Sequence, residues 1–389
     1  MPLIHMQRRL AAAALLSALL LGCVSNPPAP QNANTLQLAS EQLSDDLLQQ
    51  VHSNILERFL SKSIVLDPFI DSQSGQRTAS SIRAAQMVGD RLQEKNTSLK
   101  LKPFDTSSVE TAEYLIAGTI GKTHPDSKDY VISASITDRR SGTVIASATS
   151  RVDGREIDAT PTAFYADSPS LVSDRLTRGY INTSMATTGS AADQAYLASI
   201  STAALIHEAT TAYEEKRWQD ALVRYQTVAQ RTDGQQLRVF NGLYNTHGKL
   251  GNTKEAETAF ENIVRLGLAT NNLSMRLLFN PGSTDFWKDT AVSGIYPMWL
   301  RKISAITYAS DYCMTVVGHT SKTGSESTNE RLSLARARTV RDMLITNERR
   351  LNNRIHTDGV GWRENIIGSG TDDTRDSLDR RVEFKVRNC

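Results

Sequence analysis

Arg336 is the residue whose type and setting could most directly do chemistry. It lies within residues 329–345, where apolar side chains recur at helical spacing. A guanidinium is planar, stays charged and can donate two parallel hydrogen bonds to one carboxylate. Arg336 is therefore a candidate for holding an acidic ligand. The alternative is a solvated helix face, which we expect for Arg331, Arg338 and Arg341.

Other residue types that carry chemistry are scattered. The seven histidines form no H-x-x-x-H or Cys/His pair of the kind that binds zinc. No G-x-S-x-G elbow, Walker loop or Rossmann fingerprint occurs. A carboxylate pair could still meet in space among the 42 acidic residues. We therefore expect no metal, no cofactor and no enzymatic activity, with a wall hydrolase as the alternative.

Composition argues for several domains and against a nucleic-acid partner. The 389 residues are enough for about two to four domains. The 44 basic and 42 acidic residues nearly cancel. No field of the whole protein would therefore attract nucleic acid or anionic lipid, and binding must depend on local sites.

The first residues have the layout of an export signal. Arg8 and Arg9 precede an apolar run at residues 10–21. That run is shorter than the ~20 residues of a membrane span, as is typical of a signal peptide. We expect residues 1–22 to be removed, and residues 23–40, which are rich in Pro, Asn and Gln, to form a tether.

The end of this signal resembles the lipobox of bacterial lipoproteins. Residues 20–23 read Leu-Leu-Gly-Cys. The resemblance implies that Cys23 is acylated, and Val24 in place of an aspartate implies sorting to the outer membrane. Each acyl chain adds ~0.8 kcal/mol per buried CH₂, so two or three chains make the attachment essentially permanent. The alternative is an ordinary secretory signal with a chance cysteine.

Residues 41–155 have the pattern of a small α/β domain. An amphipathic helix begins near Leu43, and residues 141–142 predict a hairpin turn. Beyond that first helix, the predicted elements are strands at 63–68, 99–103, 114–120, 130–138 and 144–152 and a helix at 80–92. The sequences at 67–71, 114–120 and 142–148 resemble FlgO-like and CsgG-like lipoproteins, which serve flagellar or secretion-pore assembly. The alternative is an unrelated α/β domain.

Residues 156–190 are predicted to form a linker or irregular lobe, and residues 191–270 to be helical. Ala221 and Tyr225 recur as Ala256 and Phe260, an offset of 35 residues. That period, with a small residue and an aromatic one turn later, is similar to a tetratricopeptide repeat. The repeats could offer a groove to a partner protein or act as a spacer.

Residues 271–389 predict a strand-helix order of βαβαββ with strands at 275–279 and 313–318 and helices at 296–310 and 329–345. A loop at 361–378 separates the last two strands. The stripe of the second helix that faces the sheet is predicted to be Leu332, Ala335, Val340, Met343 and Leu344. The fold class is thus multidomain α+β, with a small α/β domain, helical hairpins and this mixed sheet.

This last region is similar to the OmpA-like family of peptidoglycan-associated lipoproteins. The similarity rests on residues 318–320 (Gly-His-Thr), 329–337 (Asn-Glu-Arg-Leu-Ser-Leu-Ala-Arg-Ala) and 380–383 (Arg-Arg-Val-Glu). It implies binding of the diaminopimelate in the peptidoglycan stem peptide, with Arg336 on a ligand carboxylate and one of Arg380 and Arg381 lining the same pocket.

The pocket departs from the family at one position. Thr320 and Asn329 match plausible polar wall residues, but Ser321 stands where the family places the aspartate that receives the ligand's ammonium group. Loss of that charge should weaken binding by about 1.5 to 3 kcal/mol, or about ten- to a hundredfold. Compensation could come from Asn280, Asp358, Asp372 or Asp373.

The resemblance also implies a disulfide between Cys313 and Cys389, because the second and last strands of the family's sheet are antiparallel neighbours. We expect a lipoprotein on the periplasmic face of the outer membrane that anchors the envelope to peptidoglycan and scaffolds a protein partner. The alternative is an assembly factor for a flagellar or secretion complex that binds peptidoglycan weakly or not at all.

Overall fold

The N-terminal region is built around one mixed sheet. The computed structural model describes residues 33–51, 63–97, 99–124, 127–366, 370, 378–387 and 389. The elements of this region are α1 (Leu36–Gln50), β1 (Ser63–Leu66), β2 (Ile70–Asp71), α2 (Ala79–Lys95), β3 (Lys100–Lys102), α3 (Thr106–Thr111), β4 (Tyr114–Lys122), β5 (Tyr130–Asp138) and β6 (Thr143–Val152). Three predictions fall outside the described residues. They are the acylation of Cys23, the signal and tether up to residue 32, and the part of the first helix at residues 52–62.

The sheet runs β3-β1-β4-β5-β6, with β2 beside β4. Strands β1 and β3 lie parallel to their neighbours, while β4, β5 and β6 are antiparallel. The β5–β6 turn contains Gly142 with φ +69°, a conformation that glycine adopts without steric cost. Helix α1 buries Leu36, Leu43 and Leu47 at three- and four-residue steps against this sheet and α2. The hairpin thus lies where the sequence predicts it. The first helix begins at Leu36, inside the predicted tether at 23–40, because Leu36 and Ala39 extend its buried face.

Residues 156–190 differ from the predicted linker. They contain α4 (Ala163–Asp167) and α5 (Arg175–Ser184), and α5 packs on the sheet. The Tyr180 hydroxyl lies 2.9 Å from Gly118 N and 2.9 Å from Pro68 O. The buried face of α5 is largely polar, with Thr183 and Ser184 bonded to the sheet, so no apolar periodicity marks the helix in the sequence.

The following helices form two hairpins. They are α6 (Gln194–Ala198), α7 (Ile200–Glu214), α8 (Trp218–Ala229), α9 (Leu237–Lys249) and α10 (Thr253–Ala269). Ala221, Tyr225 and Phe260 are buried. A Cβ added to Gly242 would lie 2.3 Å from the Tyr225 ring, so α9 can approach that ring only because residue 242 lacks a side chain. The kinship of these hairpins to tetratricopeptide repeats stays a prediction.

The C-terminal region has a second sheet in the order β7-β10-β8-β9. Its elements are β7 (Leu273–Met275), α11 (Thr290–Ser293), α12 (Tyr296–Ala309), β8 (Cys313–Gly318), α13 (Glu326–Asn347), β9 (Ile355–Gly359) and β10 (Val382–Arg387). Strand β8 is parallel to β9 and antiparallel to β10. The first strand ends at Met275, where the predicted strand 275–279 begins, because the chain turns back and pairs Phe279 with Phe286.

The buried stripe of α13 is rotated from the predicted one. Ser333, Ala337, Val340 and Leu344 are buried, whereas Met343 is 38% exposed. A Cβ on Gly318 would lie 2.1 Å from the Ser333 carbonyl oxygen. The helix therefore meets β8 backbone to backbone at Ser333, which apolar counting places on the wrong face.

The regions from residue 33 onward pack as one compact unit. Phe260 of α10 stacks on Trp299 of α12 with ring centres 5.4 Å apart, and Lys302 Nζ lies 2.7 Å from Glu261 Oε1. The sulfur atoms of Cys313 and Cys389 are bonded, with Cα atoms 5.1 Å apart. Within the described part of the chain, none of the helices has the length and apolar character to cross a membrane.

Candidate functional site

The motif residues of the C-terminal region meet at one end of its sheet. Because β8 and β10 are antiparallel with Gly318 opposite Val382, the residues after β8 lie beside those before β10. The His319 amide donates to the Arg381 carbonyl at 3.1 Å, and the Thr320 amide donates to the Gly361 carbonyl at 2.9 Å. The sheet register therefore places Thr320, Ser321, Arg380 and Arg381 in one neighbourhood.

Arg336 projects from α13 toward the loop after β7. Its Nε donates to the Ser283 carbonyl at 3.0 Å and an Nη to the Asn280 carbonyl at 3.1 Å. The guanidinium also lies 4.9 Å from the centre of the Phe279 ring, a cation–π distance. Only 3% of the residue is exposed. In this structure Arg336 fastens the loop at 280–283 to the helix.

That loop is itself well ordered by Asn280. The Asn280 Nδ2 donates to the Phe286 carbonyl at 3.0 Å, and its Oδ1 accepts from the Lys288 amide at 3.2 Å. These bonds use both ends of the side-chain amide. Four residues were candidates to compensate for Ser321. The side chain of Asn280 is already hydrogen-bonded within the loop, and Asp358 is exposed and accepts a hydrogen bond from the Gly359 amide. Positions 372 and 373 fall outside the described residues.

Asn329 holds the turn that precedes its own helix. Its Nδ2 donates to the Thr323 carbonyl at 2.6 Å and to the Ser325 carbonyl at 3.0 Å. Gly324 within this turn has φ +82°, and the Ser325 hydroxyl caps α13. Asn329 therefore shapes the turn at 323–325, where the sequence predicts a pocket wall.

Thr320 and Ser321 are also buried. The Thr320 hydroxyl oxygen makes no hydrogen bond with any described residue. A buried hydroxyl without a partner is unfavourable by about 1 to 3 kcal/mol, so it is available to a ligand that reaches it. Such a ligand must displace protein atoms first, because the hydroxyl is closed to solvent.

Arg381 is bound to Glu383 on the same strand. Its Nε and an Nη lie 2.9 and 2.8 Å from Glu383 Oε1, and an Nη donates to the Glu364 carbonyl at 3.1 Å. Burial alone would raise the pKa of Glu383, but His319 and Arg381 together hold it well below its usual range. Arg381 thus belongs to an internal ion pair.

His319 and Glu383 are two site residues that the sequence motifs contain but do not single out. The His319 ring is fully buried, with Nε2 3.6 Å from Glu383 Oε2. Burial lowers the pKa of His319, so the ring is neutral at pH 7. Both lie within the motifs at 318–320 and 380–383, which is the signal the sequence offers. Their contact depends on the strand register, which the motifs do not reveal.

Glu364 joins these two residues, and ligand atoms of the three lie within 4.8 Å of one another. Such a set could hold a metal ion by type and spacing. However, Arg381 contacts Glu383, and Lys385 Nζ lies 3.5 Å from Glu364 Oε2 and 3.6 Å from Glu383 Oε2. Two protein cations already neutralise these carboxylates.

All six side chains proposed for peptidoglycan are thus closed to solvent. Thr320, Ser321, Asn329, Arg336, Arg380 and Arg381 are each at most 9% exposed. The fold gathers Thr320, Ser321, Arg380 and Arg381 around the β8 and β10 ends, while Asn329 holds the turn at 323–325 and Arg336 the loop at 280–283. The arrangement therefore brings several guanidinium groups together, and their hydrogen-bond acceptors are atoms of the protein itself.

One part of the chain matches a known protein family. Residues 278–378 match the OmpA family. The C-terminal domain is an OmpA-family domain. The matched range contains Thr320, Ser321, Asn329 and Arg336, while Arg380 and Arg381 lie just beyond it.

Solved structures similar to the OmpA-family domain include the following two. The periplasmic domain of Helicobacter pylori MotB is 20% identical, with 30% of this chain and 74% of that chain covered and a TM-score of 0.25. The peptidoglycan-associated lipoprotein from Burkholderia pseudomallei is 17% identical, with 29% and 89% covered and a TM-score of 0.25. The search of curated proteins gave no significant match.

Proposed function

We propose that this protein is an outer-membrane lipoprotein that anchors the bacterial envelope non-covalently to peptidoglycan. Acylated Cys23 would hold one end in the membrane, and the OmpA-family domain would bind the diaminopimelate stem peptide. The observation that carries the proposal is the match of residues 278–378 to the OmpA family. In the proposal, Arg336 would bind the ligand carboxylate. The helical hairpins would serve a periplasmic protein partner.

Binding at this site requires an exchange of acceptors at Arg336. Two of its hydrogen bonds go to neutral carbonyl groups of Asn280 and Ser283. A ligand carboxylate would replace them with charge-assisted bonds, which are roughly twice as strong. The loop at 280–283 must move for that exchange, so we expect association to be slower than for an open pocket.

The alternative is an assembly or stabilisation factor of a flagellar or secretion complex, as the resemblance of residues 41–155 to FlgO-like lipoproteins implies. The burial of all six proposed ligand residues favours it. Under this alternative the OmpA-family domain binds peptidoglycan weakly or not at all. Deletion of the protein would then impair motility or secretion, and substitution of Arg336 would not change binding to the cell wall.

Sedimentation of the full chain with purified sacculi tests the proposal. We expect the wild type to sediment, and Arg336→Lys, which cannot form the bidentate pair, to lose at least about tenfold in affinity. Arg338→Ala, an exposed residue of the same helix, is the matched control and should bind as the wild type does. Thermal melts of each variant separate loss of binding from loss of folding.

Two outcomes would reject the proposal. One is a wild type that stays in the supernatant at all protein concentrations. The other is sedimentation that Arg336→Lys and Arg338→Ala reduce equally. Release of labelled fragments from the sacculi would instead indicate a hydrolase, which contradicts our inference that the protein is not an enzyme.

A further inference from the structure

A cavity of about 60 Å³ lies between the N-terminal sheet and the helices that follow. Much of its wall comes from the segment between Asp67 and Arg77 and from helices α5, α7 and α9, with Phe104, Tyr165 and Tyr196 completing it. None of the residues in this wall belongs to the OmpA-family domain. The cavity is therefore a separate candidate for binding.

Arg238 of α9 gives the wall a positive charge without a close counter-ion. An Nη donates to the Thr177 hydroxyl at 3.2 Å. No carboxylate of the described residues lies within ion-pair distance of Arg238, and Asp174 and Asp67 act on it only through space. Arg238 is partly exposed, so an anionic ligand in direct contact would add an ion pair that the described residues do not provide.

Arg77 adds a second cation to the same wall. Its Nη1 lies 3.4 Å from Glu214 Oε2, which is long for a charge-assisted hydrogen bond. Its buried Nε has no hydrogen-bond partner among the described residues. Arg77 therefore keeps donor capacity that its one ion pair does not use.

Carboxylates outside the wall offset part of this charge, because Glu214 pairs with Arg77 and Asp174 acts on Arg238 through space. Asp67 is the one carboxyl residue among the described residues of the wall. Burial raises its pKa to about 7, and the Tyr196 hydroxyl donates to Asp67 Oδ2 at 2.6 Å. His207 is neutral, because burial and the two arginines lower its pKa to about 3. Arg238 is therefore the arginine of the wall without an ion-pair partner among the described residues.

The rest of the wall is apolar and the space is small. Ile70, Phe104 and Ile206 line the cavity beside the charged groups. One water needs roughly 10 to 15 Å³ of such volume, so the cavity has room for about four to six non-hydrogen atoms. A charged head and a short hydrocarbon tail would fit both parts of the wall.

We propose that this cavity binds a short-chain carboxylate, held between the Arg238 and Arg77 guanidinium groups with its tail against Phe104. Each guanidinium offers paired N–H donors that match a carboxylate. Because Arg77 belongs to the sheet region and Arg238 to α9, the ligand would tie the N-terminal sheet to the helical hairpins. This site is independent of peptidoglycan binding.

Thermal unfolding of the full chain in sodium propionate tests the proposal, with sodium chloride keeping the ionic strength constant at neutral pH. At saturation we expect the wild-type Tm to rise by about 2 to 4 °C. Arg238→Gln should weaken the apparent affinity at least about tenfold. Arg265→Gln, an exposed arginine on α10, is the matched control and should keep the wild-type response.

Saturation-transfer NMR of the propionate methyl group gives a second readout that does not depend on unfolding. If Arg238→Gln fails to fold, Arg77→Gln takes its place. A saturable signal that either substitution abolishes supports the site. The proposal is overturned if propionate gives no saturable effect, if the arginine variants respond as the wild type does, or if inorganic phosphate binds equally well.

Discussion

Two arginines of this protein, the buried Arg336 and the partly exposed Arg238, are held in different ways. Arg336 of the OmpA-family domain donates to two carbonyl oxygens and lies on the Phe279 ring, whereas Arg238 at the cavity donates to one hydroxyl. A guanidinium with intramolecular acceptors contributes to stability whether or not a ligand binds. One that lacks them gains most from a ligand. Sequence motifs indicate Arg336 as a candidate ligand residue, whereas only the contacts in the structure indicate Arg238.

The largest effect we expect in this comparison is the pH dependence caused by Asp67. Its pKa is about 7 in the folded protein, against 3.8 for an aspartate in water, because burial disfavours the charge. The folded state thus keeps a proton that the unfolded state loses. This contribution is fully present below pH 3.8 and lost as pH rises through 7, by at most about 4 kcal/mol.

Urea unfolding of the wild type and Asp67→Asn between pH 4 and pH 8 measures this contribution as the difference between the two profiles. We expect the wild type to lose stability relative to Asp67→Asn as the pH rises, since the asparagine keeps an acceptor for Tyr196. Parallel profiles would show that Asp67 is ionised throughout and adds a negative charge to the wall that holds Arg77 and Arg238.

The next effect is the loss of stability in Arg336→Ala. The substitution leaves the Asn280 and Ser283 carbonyls without their donor and removes the contact with Phe279. We expect the free energy of unfolding to fall by about 2 to 4 kcal/mol in the absence of any ligand. Urea denaturation measures it. A loss below about 1 kcal/mol would mean that Arg336 is not a structural tie.

The smallest effect is that of Arg238→Gln on the same scale. Glutamine can keep a bond to the Thr177 hydroxyl and removes a charge without a close counter-ion. We expect the free energy of unfolding without ligand to change by less than about 1 kcal/mol, or to increase. A loss as large as that of Arg336→Ala would show that both arginines are structural, and the contrast between them would disappear.

The sequence predicts elements well where the buried face is apolar. Strands β5 and β8 begin and end at the predicted residues 130–138 and 313–318, because alternating apolar residues and turns bound them. Helix α5 was missed because its buried face carries threonine and serine. The stripe of α13 was misplaced because Ser333 meets Gly318 through the backbone, a contact that hydropathy does not record.

The site shows the same division. The motifs named Thr320, Ser321, Asn329 and Arg336, since those residue types recur in a known family. Their burial, the use of Arg336 by the loop at 280–283, and the pairing of Arg381 with Glu383 depend on contacts between residues distant in sequence. No local pattern encodes such contacts, so the closed state of these residues could not be predicted from the sequence, and their role as a binding site stays a prediction.

We propose above that the OmpA-family domain binds the peptidoglycan stem peptide at Arg336 and Ser321. The substitution Ser321→Asp is the sharpest test, because misfolding cannot mimic a gain of binding. The apparent Kd of the full chain for purified sacculi is compared between wild type and Ser321→Asp. We expect the wild type to bind weakly and the variant to bind about ten- to a hundredfold more tightly. Equal affinity of the two folded proteins, or no binding by either, would contradict it.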